Sequence, residues 1–599
     1  MQVGVARNDP NRAAPRQFEP VCEYGAITRT GSESIVSEVQ LARERLSGFA
    51  DSVTPLRIGL RWTSRVEFHD IAVLVLLAGL IVVALLTCKD YAISNDEGVQ
   101  HHYAELIVAY YASGFTDHSL FSFQNLYLYG GLFDIIAVAL SHVVPIDPYD
   151  LRHILCALIG IGGIAAAAAT ARLIAGPRAG LIAAVSLTLC GVWYGSMFNH
   201  TKDIPFAAAM MGATLFLIRI ARRLPSPRAG DIAAFGLLAG AALGTRVIGL
   251  LLVIYVGFAI VLYMPRPWLG RDRTPLRFAL KSFACILPAL ALAYVIMILA
   301  WPWAALAPLN PVRGLLAFSE FNYSIRTVLV GRIYEMADVP RLYVPIYIMV
   351  RVPLIMLFGA ALAMLSARLP DRVSGLSQQQ SREITLLSMI VLFPLACQVI
   401  WHGPAFTGLR HFLFLIPVLA ALAGIGLDKA LATLKARGRM VASGAVAVTA
   451  ACFLWDAGTL VRLHPYEYPF YNSVVGGLEG ASRRYDLDYW FGSMPEAIKQ
   501  LEAYLRRTAP GDANWPTQVY SVAVCGERLP FEKAVTLPQL HWDFMQQWNQ
   551  SQFFIAPTHL NCDGDLDGEI IGTVERLGVV IAYVKDRRAL IQPPATATR

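Results

Sequence analysis

The residues of this chain able to do chemistry stand at the edges of long apolar runs. After the first run comes ISNDEGVQHHYAE, residues 93–105, in which Asp96 and Glu97 are followed by His101, His102 and Glu105. If a helix begins at Glu97, His101 and Glu105 fall one and two turns on along the same face. Asp96 there also suits a plain helix cap, with Ser94 and Asn95 as alternatives. A second polar island, NHTKD at 199–203, joins two apolar runs and groups His200, Lys202 and Asp203. Capping accounts for Thr201 or Asp203, and Pro205 fits a first helical turn. A histidine and a lysine at the mouth of an apolar bundle go beyond a cap, because ionisable groups there line cavities or pathways. A third stretch, GPAFTGLRHFLFLIP, carries Arg410 and His411 into a later run, where an arginine also suits snorkelling to the interface. A fourth, RLHPYEYPFYNSVVGG, follows the last run, and its Tyr466, Tyr468 and Tyr471 match an interfacial aromatic belt.

The elements that must position these groups are membrane helices. The 599 residues are 56% hydrophobic and 16% charged, with a mean hydropathy of +0.49, against about 25% charged in ordinary globular domains. Apolar stretches near the ~20 residues needed to cross a bilayer recur throughout. They predict an α-helical polytopic membrane protein of about eleven spans, near 70–88, 152–175, 179–197, 204–221, 231–247, 248–264, 280–302, 343–366, 384–401, 410–427 and 440–461. The run at 231–264 reads as two spans with a tight turn near GTRVIG. The apolar segment 125–144 is read as a juxtamembrane or re-entrant helix, because Asp134 sits at its centre and a carboxylate there costs about 3 kcal/mol. One set of connections then carries eighteen basic residues, from Arg172 and Arg178 to Arg437 and Arg439. By the positive-inside rule the N-terminus is cytoplasmic and the C-terminus outside.

This map divides the chain into a cytoplasmic, partly disordered tail (1–68), a transmembrane part (69–461) with outer loops 89–151 and 303–342, and a small periplasmic α/β domain (462–599). In the last, TQVYSVAV, QFFIAP and LGVVIAYVKD read as strands and MPEAIKQLEAYLRR as a helix. Cys525 and Cys562 lie in this polar region, where a disulfide forms if it faces an oxidising compartment. The other cysteines near apolar runs read as packing residues. The scattered basic residues form no stripe, which excludes a nucleic-acid partner.

On this topology the first three clusters meet at one membrane face. Carboxylates beside Lys, Arg and His suit transfer from an anionic, lipid-linked donor. Cations hold the donor phosphate and stabilise the charge that builds on it. A carboxylate removes the proton from an attacking hydroxyl. Phosphate is already a good leaving group, so no dedicated general acid is needed.

As a set, the DE after the first run, KDIPF, TGLRHFLF and HPYEYPFYN…GG…DYWFGS resemble bacterial integral-membrane glycosyltransferases of family 39. These have the GT-C fold and are similar to protein O-mannosyltransferases and the lipid A aminoarabinose transferase. The resemblance covers roughly residues 70–495. It implies a polyprenyl-phosphate sugar donor and transfer with inversion, to a hydroxyl of a glycolipid, polysaccharide or protein. It places Asp96 as base or acceptor-orienting carboxylate with Glu97 beside it, and Asp203 as the second acidic position. Lys202, Arg410 and His411 then contact the donor phosphate, and His101 and His200 are further candidates by proximity alone. Two acidic positions fit either a divalent metal ion held by Asp96 and Asp203 or a metal-free base. A transporter or flippase of a lipid-linked sugar is the alternative. It predicts charges spread along the spans and an inverted repeat, neither of which the sequence has. A non-catalytic sensor leaves the outer carboxylates without a role.

Overall fold

The computed structural model describes residues 67–265, 274–319, 324–508 and 517–591. All of them fall in one compact unit, Ser64–Arg599. Nearly all of the expected cytoplasmic tail, and Arg266, Arg271 and Arg273 among the basic loop residues, lie outside the described residues.

Each predicted span is helical, but not every one is a straight crossing. Seven helices are long and apolar enough to cross a membrane: α1 (Phe68–Thr87, running on to Asp90), α4 (Pro148–Ala175), α6 (Asp203–Ala221), α9 (Thr274–Ala300), α12 (Gln378–Trp401), α13 (Ile416–Lys435, entered through a 3-10 turn from Arg410) and α14 (Arg439–Leu463). The count rises to nine if two bent pairs each make one span. In the first pair, α5 (Pro177–Thr188) meets a short helical segment, Gly191–Asn199, at 68°. In the second, α10 (Tyr343–Arg351) meets α11 (Leu354–Ser366) at 116°. The remaining two expected spans are the shorter helices α7 (Ala229–Leu243) and α8 (Leu251–Tyr263). At 1.5 Å per residue their 15 and 13 residues fall short of a ~30 Å hydrocarbon core. The expected eleven full spans are therefore seven to nine by length and composition. The chain is a multi-pass membrane protein, several of whose helices are bent or broken.

The segment around Asp134 does not span. It forms a 3-10 turn, Leu126–Leu128, and then α3 (Leu132–Ser141), only 10 residues long. The carboxylate that argued against burial in lipid is buried in protein instead: Arg152 donates to Asp134 at 2.6 Å. Buried helices of the bundle pack through small residues. A Cβ on Gly426 of α13 would lie 1.9 Å from the carbonyl oxygen of Gly359 on α11, so only glycine permits that crossing. Gly426→Leu is expected to force the two helices apart and lower the thermal stability of the detergent-solubilised protein, with a loss of folded protein in membranes. Wild-type melting in that variant would show that the crossing relaxes freely.

At one end of the bundle, ion pairs tie helix ends together. Arg172 holds Asp70 (2.5 Å), Arg222 holds Glu383 (2.6 Å), and Arg219 and Arg223 share Asp231 (2.7 and 2.9 Å). Asp203 and Arg222 stand at opposite ends of α6, so the polar cluster around Asp203 lies at the other end, about 28 Å away.

The C-terminal part is an α/β layer. Its sheet has the order β4-β3-β5-β7-β6, built from β3 (Tyr520–Val524), β4 (Leu540–Asp543), β5 (Phe553–Pro557), β6 (Glu569–Arg576) and β7 (Val579–Asp586). The β3 pairings with β4 and β5 are parallel, and those of β7 with β5 and β6 antiparallel. The helix α15 (Met494–Thr508) packs on it with its apolar stripe, Ala497, Ile498, Leu501 and Leu505, buried. Buried residues run without interruption from the bundle into this sheet. A short hairpin, β1 (Arg326–Leu329) with β2 (Arg332–Glu335), decorates the loop before α10. Unlike β3, β5, β7 and α15, it had no clear signal in the sequence.

Candidate active site

The site forms where helices begin. Asp203 opens α6, Arg410 leads the 3-10 turn into α13, and Asp96 precedes α2 (Glu97–Ala112). The Asp96 side chain makes no capping bond. It pairs with Arg410, whose Nη2 donates to it, while Arg410 Nε donates to Asp203 Oδ2 at 3.0 Å. One guanidinium thus bridges carboxylates 107 residues apart in the chain. Their exposures differ in a way that matters: the Asp96 side chain is 38% exposed and that of Asp203 4%. Only Asp96 is within reach of an incoming molecule.

A second arginine completes the cluster. Arg246 lies in the break between α7 and α8, and its Nη2 donates to the other Asp203 oxygen. Its Nε is buried with no protein partner among the described residues. Backbone bonds from Leu132 to Gly244 (3.0 Å) and from Gly131 to Ala300 (2.9 Å) lock residues 130–132 against that break. This sets Tyr129 among Asp96, Asp203, Arg246 and Arg410. Burial pushes its phenol up to about 12, with the two arginines pulling the other way, so it stays protonated.

Lys202 and Asp203 are neighbours in sequence but not across the site, because successive residues around a helix start diverge. The Lys202 ammonium lies 4.8 Å from the centre of the Tyr129 ring and 3.9 Å from Asp134. Burial pulls its pKa below the ordinary lysine range, and Asp134 opposes that shift. Arg152, fully buried, sits on the far side of Asp134, where it also donates to Thr201 (3.1 Å).

His200 is brought to the rim as an anchor. The indole N–H of Trp490 donates to its Nε2 (3.0 Å), and the Tyr489 hydroxyl lies 2.6 Å from the same atom. An indole nitrogen only donates, so Nε2 accepts and the proton sits on Nδ1, facing Asn199 Oδ1 at 2.9 Å. Burial pushes the imidazole down to about 3, which keeps it neutral. Trp490 in turn stacks under Arg410, with the guanidinium carbon 4.3 Å from its ring centre.

Other candidates are placed elsewhere. Glu97, next to Asp96, is fully buried and turned into the fold. It accepts from the Ser94 backbone (3.0 Å) and hydroxyl (2.9 Å) and lies 3.0 Å from His153 Nε2. His101 sits 3.7 Å from Glu105 on α2, as the helical spacing predicted, and burial lowers its pKa. It has no contact with the Arg410 bridge. His411, by contrast, stays beside the site: it packs edge-on against Phe406, 4.5 Å between ring centres, and feels the charges of Arg246, Arg410 and Asp203. The aromatic-belt reading of Tyr466, Tyr468 and Tyr471 is corrected: all three are buried, and their hydroxyls donate to Glu496, Asp488 and the Asp486 carbonyl. They pack the last helix against the C-terminal layer instead of facing lipid.

Asp96 and Asp203 do not fit a metal ion in this arrangement, because Arg410 fills the space between them and Arg246 takes the remaining Asp203 oxygen. Among the described residues, the one grouping with metal-ligand spacing is Cys525, Cys562 and Asp565, and those two cysteines form a disulfide.

Arg246, Tyr129 and Trp490 were not singled out from sequence. Arg246 had a signal, as the charge interrupting the 231–264 apolar run, and Trp490 lay within the DYWFGS motif.

No curated protein matches the chain in sequence. Among solved structures, ArnT from Cupriavidus metallidurans bound to undecaprenyl phosphate is similar at 14% identity and a TM-score of 0.44, covering 87% of this chain and 99% of that one. The apo oligosaccharyltransferase of Archaeoglobus fulgidus is similar at 13% identity and a TM-score of 0.45, covering 77% and 63%. The mycobacterial arabinofuranosyltransferase AftD is similar at 14% identity and a TM-score of 0.37, covering 85% and 41%. Likenesses this distant carry nothing about substrate. Residues 149–303, which hold Arg152, His200, Lys202, Asp203 and Arg246, match the sequence profile of the family described as dolichyl-phosphate-mannose-protein mannosyltransferase. Over that central segment the chain is therefore similar to the group of membrane mannosyltransferases that its motifs resemble.

Proposed function

We propose that this protein is a membrane glycosyltransferase that moves a sugar from a polyprenyl-phosphate-linked donor to an acceptor hydroxyl, with inversion at the anomeric carbon. The observation that carries this reading is the Arg410 bridge between an accessible and a buried carboxylate, with Arg246 and Lys202 beside it. Arg246, Arg410 and Lys202 hold the donor phosphate, and Asp203 orients the two guanidinium groups. The acceptor oxygen attacks the anomeric carbon as the bond to the phosphate oxygen breaks. Asp96 takes the hydroxyl proton, and the electron pair leaves with the polyprenyl phosphate, whose added charge the cations stabilise. His200 acts indirectly, holding Tyr489 and Trp490 against Arg410. No step needs a metal ion.

The side of the membrane follows from charge: with the basic helix ends facing the cytoplasm, this site opens outward. The flippase reading has little support, since the clustered groups sit at helix starts rather than along the spans. The test is binding of undecaprenyl phosphate to the purified full chain. Arg246→Ala is expected to weaken it about tenfold or more, as a charged hydrogen bond is worth roughly 1.5–3 kcal/mol. Unchanged affinity in that variant would send the phosphate elsewhere.

A further inference from the structure

The C-terminal layer supplies a wall of the site. β3 ends at Val524, and Cys525 is held by its disulfide to Cys562 and by a backbone bond to Ile555 (3.1 Å). The chain then passes close against the turn after Trp490: a Cβ on Gly526 would come 2.5 Å from Met494 Cε and 3.0 Å from Phe491. Leu529, in the helix α16 (Arg528–Ala534), rests on the first turn of α2. A Cβ on Gly98 would come 2.5 Å from its Cδ2. Lys533 at the far end of α16 bonds Asp147 at 3.0 Å. Residues 525–529 are thus wedged between the neighbours of Trp490 and those of Asp96, the two residues that flank Arg410.

Glu527 stands in the middle of that wedge. Its side chain is accessible and has no hydrogen bond or ion pair to a described residue. The surrounding protein, and then the charge of Asp96, raise its carboxyl pKa. The contacts of Gly526 and Leu529 hold it between the turn after Trp490 and the first turn of α2. The nearby cations are committed: Arg528 pairs with Glu532 (2.6 Å) and Lys533 with Asp147. This side of the site is acidic and disfavours an acceptor presenting phosphate.

We infer that Glu527 is the acceptor-binding carboxylate of the site, accepting a hydrogen bond from a second hydroxyl beside the one that Asp96 deprotonates. The acceptor is then a neutral carbohydrate offering two neighbouring hydroxyls, in preference to an isolated serine or threonine. The inference rests on the glycosyltransferase reading. Glu527 then favours acceptors that offer the second hydroxyl, through a charge-assisted hydrogen bond.

The test complements a deletion strain with the full-length chain and follows, by mass and linkage analysis, the sugar that the strain lacks in its envelope. Glu527→Gln keeps the shape but accepts more weakly, and is expected to lower transfer about tenfold or more. Undecaprenyl phosphate binding should be unchanged, and Glu527→Asp should recover part of the transfer. The restored sugar should be attached to a carbohydrate hydroxyl. Wild-type transfer by Glu527→Gln, in a strain where Asp96→Asn is inactive, overturns the role of Glu527. Loss of undecaprenyl phosphate binding in Glu527→Gln overturns it too, as a structural effect. Attachment to serine, threonine or a lipid phosphate overturns the acceptor class. Wild-type transfer by Asp96→Asn defeats the underlying glycosyltransferase mechanism, which is a different failure.

Discussion

Asp96→Asn is expected to abolish sugar transfer while expression and polyprenyl-phosphate binding survive. The amide keeps the volume and one acceptor oxygen but cannot take a proton from the acceptor hydroxyl. A positioned base contributes about 10²- to 10⁴-fold to such a step, so residual transfer should be below one part in a hundred. Binding should persist because Arg410 keeps its 3.0 Å bond to Asp203, and Arg246 keeps its own. Asp96 is also the exposed member of the pair, so removing its charge leaves no buried cation stranded. The measurement is transferred sugar per unit of protein in membranes. Near wild-type turnover would remove Asp96 from the mechanism.

Arg410→Gln should have the broader effect, on stability as well as on binding. The guanidinium is largely buried, touches both carboxylates and lies on the Trp490 ring. Its loss leaves Asp203 buried with Arg246 as its one remaining bridging cation. Breaking a buried pair on one side costs about 3–5 kcal/mol. The variant should melt well below the wild type in detergent and lose undecaprenyl phosphate binding. Arg410→Lys should recover part of the melting temperature but little of the binding, because a point charge cannot span two carboxylates as a planar fork does. Wild-type binding by the lysine variant would show that net charge, and not the fork, holds the phosphate.

Much of this site was legible because lipid is intolerant of charge. An ionisable residue at the edge of an apolar run needs a reason to be there, and Asp96, Lys202, Asp203 and Arg410 were picked out on that ground. The same rule separated 125–144 from the true spans through Asp134, and the structure gives that carboxylate Arg152 as its partner. Residue pattern served the C-terminal layer equally well: α15 buries the apolar stripe its periodicity announces, and the short apolar runs of β3 and β5 are buried almost throughout.

Pairing was not legible. Glu97 adjoins Asp96 yet belongs to His153, and Lys202 adjoins Asp203 yet leans over Tyr129. Adjacency in sequence says little about direction where a helix starts, because each residue turns about 100° from the last. The buried Tyr466, Tyr468 and Tyr471 show the converse: their composition matches a lipid interface, but the C-terminal layer covers them.

Apolar run length and charge at the run ends are local quantities set by transfer from water to lipid, and from them the amino-acid order alone yields helices, a polar end and a short roster of reactive groups. Whether a run crosses straight, as α6 does, or breaks, as between α7 and α8, depends on what packs beside it. The break put Arg246 against Asp203, and the docking of residues 525–529 put Leu529 on the first turn of α2, just after Asp96. Such contacts join residues from distant parts of the chain. They exist only once the helices and the C-terminal layer have closed on one another.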